Sequence, residues 1–425
     1  MNRFILIGCI LFALSCIDLT GQTIVNQGVD LKEFSTNSFS IPLIDLDSKQ
    51  EWQIVVDREE GQYLGHPTTV LLPDGESMYI VYPKGHGRGG IVMKKSKDGG
   101  RTWSDRLTVP DNWSTSLEVP TLYPVTDQNG VDRVIMFSGL YPARLAYSED
   151  WCETWTALKP VGEWGGIVVM SDLIALQTGP GHYMAMFHDD ERFFTKRGRP
   201  ASLNESVSLN QANFTLYKTI SKDGGMNWST PQTIYRNSII HLCEPGIVRS
   251  PDGAQIAVLL RENSRRLNSF IIFSDDEGET WSPPRELPNA LTGDRHQAIY
   301  TEDGRLLISF RDNSPALTRV EQLKSQCPNC DEKILYDKAG PVSPTAGDWV
   351  GWVGTYEDLA RGNEGQYRLR FKDNTKGSDC AYPALERLND GTIHAVTYGH
   401  WSMGEAPYIL GFRFTMESLD KMLDE

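Results

Sequence analysis

The chain has no apolar run long enough to cross a membrane. Its longest, Phe4–Leu14, falls well short of the roughly 20 residues that a spanning helix needs. Cysteine is scarce at seven residues, two of which, Cys9 and Cys16, lie in the first 21. The remaining Cys152, Cys243, Cys327, Cys330 and Cys380 are odd in number, which excludes a fully disulfide-paired framework. Positive charge is in short supply: 41 Lys and Arg face 56 Asp and Glu, for a formal net charge of −15. Such a balance excludes nucleic acid or an anionic membrane as a general partner, and an anionic glycan would need a locally basic pocket. Long amphipathic helical patterns are also missing. Instead, short apolar runs such as Ser77–Tyr82, Arg133–Phe137, Gln255–Leu260 and Arg305–Phe310 alternate with Asp-Gly turns at Asp74, Asp252, Asp303 and Asp390. The expectation is one all-β domain.

Four copies of a short motif organise that domain. They run Ser96–Trp103, Ser148–Trp155, Ser221–Trp228 and Ser274–Trp281, each with Ser, then Asp two residues on, and a closing Trp. Ser and Asp side chains bond a turn's own backbone, Gly takes a positive φ, and Trp covers the turn. The motif Asp residues 98, 150, 223 and 276 recur at spacings of 52, 73 and 53 residues, which suits a four-stranded blade with an insertion around Arg192–Asn210. The repeats resemble the Asp-box of sialidase-like β-propellers. Dividing the mature length by the repeat predicts seven blades, with six and long loops as the alternative.

The first 21 residues carry Arg3, then an apolar stretch, then small and polar residues, the pattern of a secretory signal peptide. The expected domain is residues 22–425. Lipid attachment at Cys16 is the alternative processing, and either route takes the chain to the cell surface, the periplasm or the outside. Cys327-Pro-Asn-Cys330 has the spacing with which two thiolates grip one tetrahedral zinc, and Cys380 and His296 are the candidates to complete a closed structural site. A Cys327–Cys330 disulfide or free thiols remain alternatives. Calcium at the propeller axis is a further option without a dedicated ligand loop, and no organic cofactor is expected.

Two family resemblances bear on function. The stretch Cys243-Glu244-Pro245 with Arg261-Glu-Asn263, and Tyr382-Pro-Ala-Leu385 with Asp390-Gly391, are similar to the segments that in exo-sialidases carry the activating Glu, a carboxylate-binding Arg and the Tyr nucleophile. That resemblance implies a retaining hydrolase on Tyr382, Glu244 and Arg261, with Arg368 as the third arginine. It departs in the first blade, where sialidases carry Arg-Ile-Pro and this chain has Gly65-His66-Pro67. An imidazole does not reproduce bidentate recognition of a carboxylate.

His66 and His86, 20 residues apart, also resemble the paired histidines of secreted seven-bladed propeller lyases that cut beside uronic acids, the ulvan and rhamnosyl-glucuronate lyases. That resemblance implies catalysis by His66, His86, Tyr123 and Arg144. Arg and His would neutralise the uronate carboxylate, and a Tyr or His would move the C5 and leaving-group protons. His188, Glu244, Arg261, Tyr382 and His400 are then substrate-binding candidates, and Arg295 and Arg311-Asp312 supporting ion pairs. The main expectation is therefore a secreted polysaccharide lyase acting on a uronate-bearing, sulfated or unsulfated glycan. The alternatives are a sialidase-type hydrolase acting on a sialoglycan and a noncatalytic glycan-binding propeller.

Overall fold

The computed structural model describes residues 39–196, 214–265, 267–313 and 343–424. The leader 1–21, Cys16, Cys327 and Cys330 lie outside these residues.

Six sheets follow one another along the chain, and each begins with an inner strand that the next two strands extend outward in antiparallel order. Blade 1 is β3 (Thr68–Leu71), β4 (Met78–Pro83) and β5 (Ile91–Ser96). Blade 2 runs from β6 (Pro120–Thr126) through β7 (Asp132–Ser138) and β8 (Arg144–Ser148) to β9 (Lys159–Pro160). Blade 3 comprises β10 (Ile167–Ala175), β11 (Tyr183–Asp189), β12 (Thr215–Ser221) and β13 (Gln232–Arg236). Blade 4 comprises β14 (Leu242–Arg249), β15 (Ile256–Glu262), β16 (Phe270–Ser274) and β17 (Arg285–Glu286).

Blade 5 holds β18 (Asp294–Tyr300), β19 (Leu306–Arg311), β20 (Trp349–Gly354) and β21 (Tyr367–Lys372), with β1 (Leu43–Asp45) added in parallel on its outer edge. Blade 6 closes the ring: β22 (Ala384–Arg387), β23 (Ile393–Gly399) and β24 (Tyr408–Phe414) take their outermost strand, β2 (Gln53–Asp57), from the other end of the chain. The all-β propeller stands as expected, but with six blades rather than seven. The surplus length sits in the β11–β12 and β19–β20 connections, and in two short helices, α1 (Tyr356–Arg361) and α2 (Met416–Lys421).

The core lies between neighbouring blades. Where blade 1 meets blade 6, for example, Ile80 and Tyr82 pack with Val396, Tyr398 and Ile409. All four motifs make the same turn. In the first, Ser96 Oγ donates to Asp98 Oδ1 at 2.9 Å and accepts from Gly100 N–H at 2.9 Å, while Asp98 accepts from Thr102 N–H and hydroxyl at 2.9 and 2.6 Å. Asp150, Asp223 and Asp276 repeat the pattern. The turns follow the third strands of blades 1 to 4, so they lie at the end of the propeller opposite the first residues of the inner strands. Among the described residues no helix is long and apolar enough to cross a membrane.

Candidate active site

Inner strands begin, and second strands end, at one face of the ring, and that face gathers most of the reactive side chains. Five inner strands carry a non-glycine residue with positive φ near their start: His66 (54°), Val168 (51°), Glu244 (51°), Arg295 (55°) and Ala381 (54°). In β14 and β18 the bend coincides with a register shift, between Cys243 and Gly246 and between Asp294 and Gln297. Such bulges re-aim a side chain out of the ladder, at a cost of about 1–3 kcal/mol for each strained residue. The two bends also bring β14 and β18 close together: a Cβ on Gly246 would sit 2.2 Å from the His296 carbonyl oxygen.

Glu244 and Tyr382 form the centre of this face. Tyr382 Oη donates to Glu244 Oε1 at 2.5 Å, and Arg261 Nη1 donates to the same oxygen at 2.7 Å. Glu244 Oε2 is buried without a partner. Burial pushes the Glu244 carboxyl up, but the charges of Arg261, His188 and Arg311 together outweigh it and hold the group below its ordinary range, so it is anionic at neutral pH. Burial, and then the Glu244 charge, raise the Tyr382 phenol well above 10. Beneath the pair, His188 Nδ1 faces the Glu244 N–H at 3.4 Å, and burial lowers its pKa to about 4.

A second cluster adjoins the first. The His66 ring stands 4.4 Å from the Tyr382 ring, 4.9 Å from His86 and 4.5 Å from Tyr398, centroid to centroid. Its Nδ1 accepts the Gly87 N–H at 3.1 Å, which leaves Nε2–H to face Tyr398 Oη at 3.2 Å. Burial and the neighbouring His86 lower its pKa well below the usual value, so the ring is neutral. Asp379 ties the cluster together: it accepts from Tyr63 Oη at 2.8 Å, faces His86 Nδ1 at 3.3 Å and faces His400 Nε2 at 3.2 Å. Burial opposes its charge, but the bonds from His86 and Tyr63 prevail and depress its pKa. The His86 side chain is 65% exposed and marks the mouth of the site.

The other predicted residues lie elsewhere. Arg144, on the third strand of blade 2, donates to the Thr115 hydroxyl and carbonyl at 2.9 and 2.7 Å. Tyr123 donates to the Met170 carbonyl at 3.0 Å and lines an axial cavity of about 150 Å³ with Thr68, Arg295, Gln297 and Glu386. Arg368 is not the third arginine of the site. It is fully buried in blade 5, bonded to Asp312 at 3.0 Å, with its guanidinium 4.5 Å from the Phe39 ring. The guanidiniums of Arg295 and Arg311 lie beside Tyr382 instead, each 5.9 Å from its ring. His296 is buried against Phe310 with Nε2 3.0 Å from the Leu291 carbonyl, and Cys380 Sγ lies 3.2 Å from the Gly347 carbonyl. Among the described residues no three His, Cys, Asp or Glu are grouped to hold a metal ion.

Sequence reasoning passed over Asp379 and Tyr63, and took Arg311 only as a partner of Asp312 in a supporting ion pair. Asp379 adjoins Cys380 and was visible only as part of that pattern, while Arg311 pairs with Asp294 rather than with its neighbour Asp312.

No protein-family model matches the chain. It is 24% identical over 279 residues to a sialidase of Clostridium perfringens, a match covering 63% of this chain and 61% of that protein. The chain thus spans less than two thirds of that relative's length. Solved structures align over nearly the whole propeller. An intramolecular trans-sialidase of Ruminococcus gnavus superimposes with a TM-score of 0.54 at 14% identity, covering 84% of this chain and 95% of that one. The chain shares the β-propeller fold of these structures. An α-L-arabinofuranosidase of Fusarium graminearum shares this fold, with a TM-score of 0.54 at 11% identity over 84% and 94% of the two chains. A protein of unknown function from Dyadobacter fermentans does so too, with 0.58 at 14% over 85% and 97%. The named enzymes among these structural neighbours are a trans-sialidase and an arabinofuranosidase.

Proposed function

We propose that this sialidase-like propeller is an exported, retaining glycoside hydrolase of the sialidase type, with Tyr382 as nucleophile. The bond between Tyr382 Oη and Glu244 Oε1 carries the reading. A neutral phenol attacks an anomeric carbon only if its proton leaves as the bond forms, and Glu244, held anionic beside Arg261, is the acceptor. The same carboxylate stabilises positive charge developing on the sugar ring. As the anomeric carbon bonds to Tyr382, the glycosidic C–O bond breaks and the leaving oxygen takes a proton. His86, exposed at the mouth and backed by Asp379, supplies it. Water then releases the sugar from Tyr382 through the same groups in reverse. His66, neutral and edge-on to the Tyr382 ring, positions the nucleophile, and His400 and Tyr63 fix Asp379.

The lyase reading has less support, because Tyr123 and Arg144 are engaged apart from the two histidines. The test is to trap the glycosyl-enzyme with 2-fluoro glycosyl fluorides and map the label by mass spectrometry. A label on Tyr382 that Glu244→Gln slows supports the proposal. Absorbance near 235 nm from a uronate polysaccharide, with no label, would replace hydrolysis with β-elimination.

A further inference from the structure

The arginines of blades 4 and 5 on this face are not treated alike. Arg261, Arg265 and Arg311 are each ion-paired with Glu244 or Asp294. Arg295 is only 3% exposed, yet among the described residues no ion pair holds its guanidinium, and its Nη1 is shut off from solvent without a partner. Tyr123 lies beside it, but that hydroxyl donates to the Met170 carbonyl at 3.0 Å and brings no charge. Asp172 feels the Arg295 charge from further off. Its two oxygens accept the Leu173 and Ile247 N–H groups at 2.8 and 2.7 Å, and burial pushes its carboxyl up to about 6. A cation buried in this way is costly unless a counter-charge reaches it.

The axial cavity that Arg295 lines gives room for one. It is walled by β3, β6, β18 and β22, the inner strands of blades 1, 2, 5 and 6. At about 150 Å³ it holds about five waters of ~30 Å³ each, and it falls short of the ~300 Å³ at which pockets for drug-sized ligands begin. Gln297, two residues along β18 from Arg295, adds a side-chain amide to the lining. Glu386 is the one carboxyl among the lining residues. It accepts the Thr69 hydroxyl at 2.7 Å, and burial raises its pKa to about 7, so below that pH it is a neutral acid that does not repel an anion.

We propose that the propeller axis carries an anion-binding site: a small monovalent anion, of the size of chloride or formate, sits in this cavity against the Arg295 guanidinium and the Gln297 amide. The charge count sets the class, because one guanidinium balances one negative charge and a sulfate or phosphate dianion would keep a charge unpaired in a buried space. The anion draws together strands of four blades. Two of these, blades 1 and 6, meet where the ring closes, so binding acts on the stability of the closed propeller. The site is independent of the hydrolase reading.

The test joins thermal unfolding with anomalous diffraction. The full-length mature protein is melted at pH 6 in sodium bromide, chloride or formate and in sodium gluconate, whose anion is too large to enter, at matched ionic strength. The small anions are expected to raise the melting temperature of wild type by several degrees over gluconate, along a curve that saturates. Arg295→Met, which keeps an unbranched side chain without the charge, is expected to lose that saturable rise. An equal rise in the variant, or one that climbs linearly without saturating, overturns the proposal. Wild-type crystals grown in sodium bromide are expected to show an anomalous peak in the cavity beside Arg295 Nη1, and this measurement decides alone should Arg295→Met fail to fold. Water alone in the cavity overturns the site. A peak only on the Tyr382 side of the guanidinium assigns this cation to substrate and overturns it as well. A peak in the cavity without the saturable rise in wild type means an adventitious ion only.

Discussion

Glu118 gives a stability prediction that can be worked from the structure. It is buried where blade 2 begins, and its carboxylate accepts only the N–H groups of Val119 at 3.2 Å and Val168 at 3.5 Å. Burial therefore dominates and raises its pKa to about 7 from an ordinary 4.5. The folded protein then holds this proton through a pH range in which the unfolded chain has released it. Between pH 4.5 and 7 the native state binds more protons, so stability falls as pH rises through that window. Above pH 7 the full cost of about 3 kcal/mol is present. Glu118→Gln keeps a neutral amide of similar size and removes the titration. Urea unfolding followed by tryptophan fluorescence at pH 4.5, 6 and 8 should show wild type losing about 3 kcal/mol more than the variant over that range. Parallel profiles for the two proteins would refute the reasoning and mean that Glu118 is ionised in the native state.

Tyr382→Phe keeps the ring that packs on His66 and should lower kcat by about 1,000-fold or more with its melting temperature nearly intact, as read by steady-state assay and calorimetry. His86→Ala should slow glycosides with poor leaving groups by about 100-fold or more and activated aryl glycosides far less, which a leaving-group series would reveal. Asp223→Ala removes bonds from Ser221 and from two Asn227 donors, and should cost about 1–3 kcal/mol in chemical denaturation without changing kcat. Metal analysis of the purified protein tests the zinc expectation: one equivalent of zinc that Cys327→Ser abolishes would support it.

The propeller was legible because its turns are local. Ser, Asp, Gly and Trp at fixed offsets dictate one hydrogen-bond pattern within eight residues, and four such segments betray the period. The blade count was less so, because blades 5 and 6 lack the motif and the connection between β19 and β20 absorbs the length of most of a blade. Glu244, Arg261 and Tyr382 could be found by resemblance since each sits in a short distinctive segment. Arg311 and Asp294 could not, because they meet only when β18 and β19 pair, as Asp294 opposite Arg311 in the ladder. Arg368 was misread for the complementary reason. An arginine in an apolar strand gives no sign of whether it faces the axis or, as here, Asp312 and two phenyl rings.

The repeated bend of the inner strands bears on how this face could change. His66, Val168, Glu244, Arg295 and Ala381 share a positive φ of 51–55°, and each carries a different side chain. The blades thus act as a rack of equivalent sockets, three fitted with polar groups and two, Val168 and Ala381, with small apolar ones. A socket whose strain is already met by the scaffold can exchange its occupant without rebuilding the sheet behind it. Installing His or Asp at 168 is accordingly the shortest route to new chemistry on this ring.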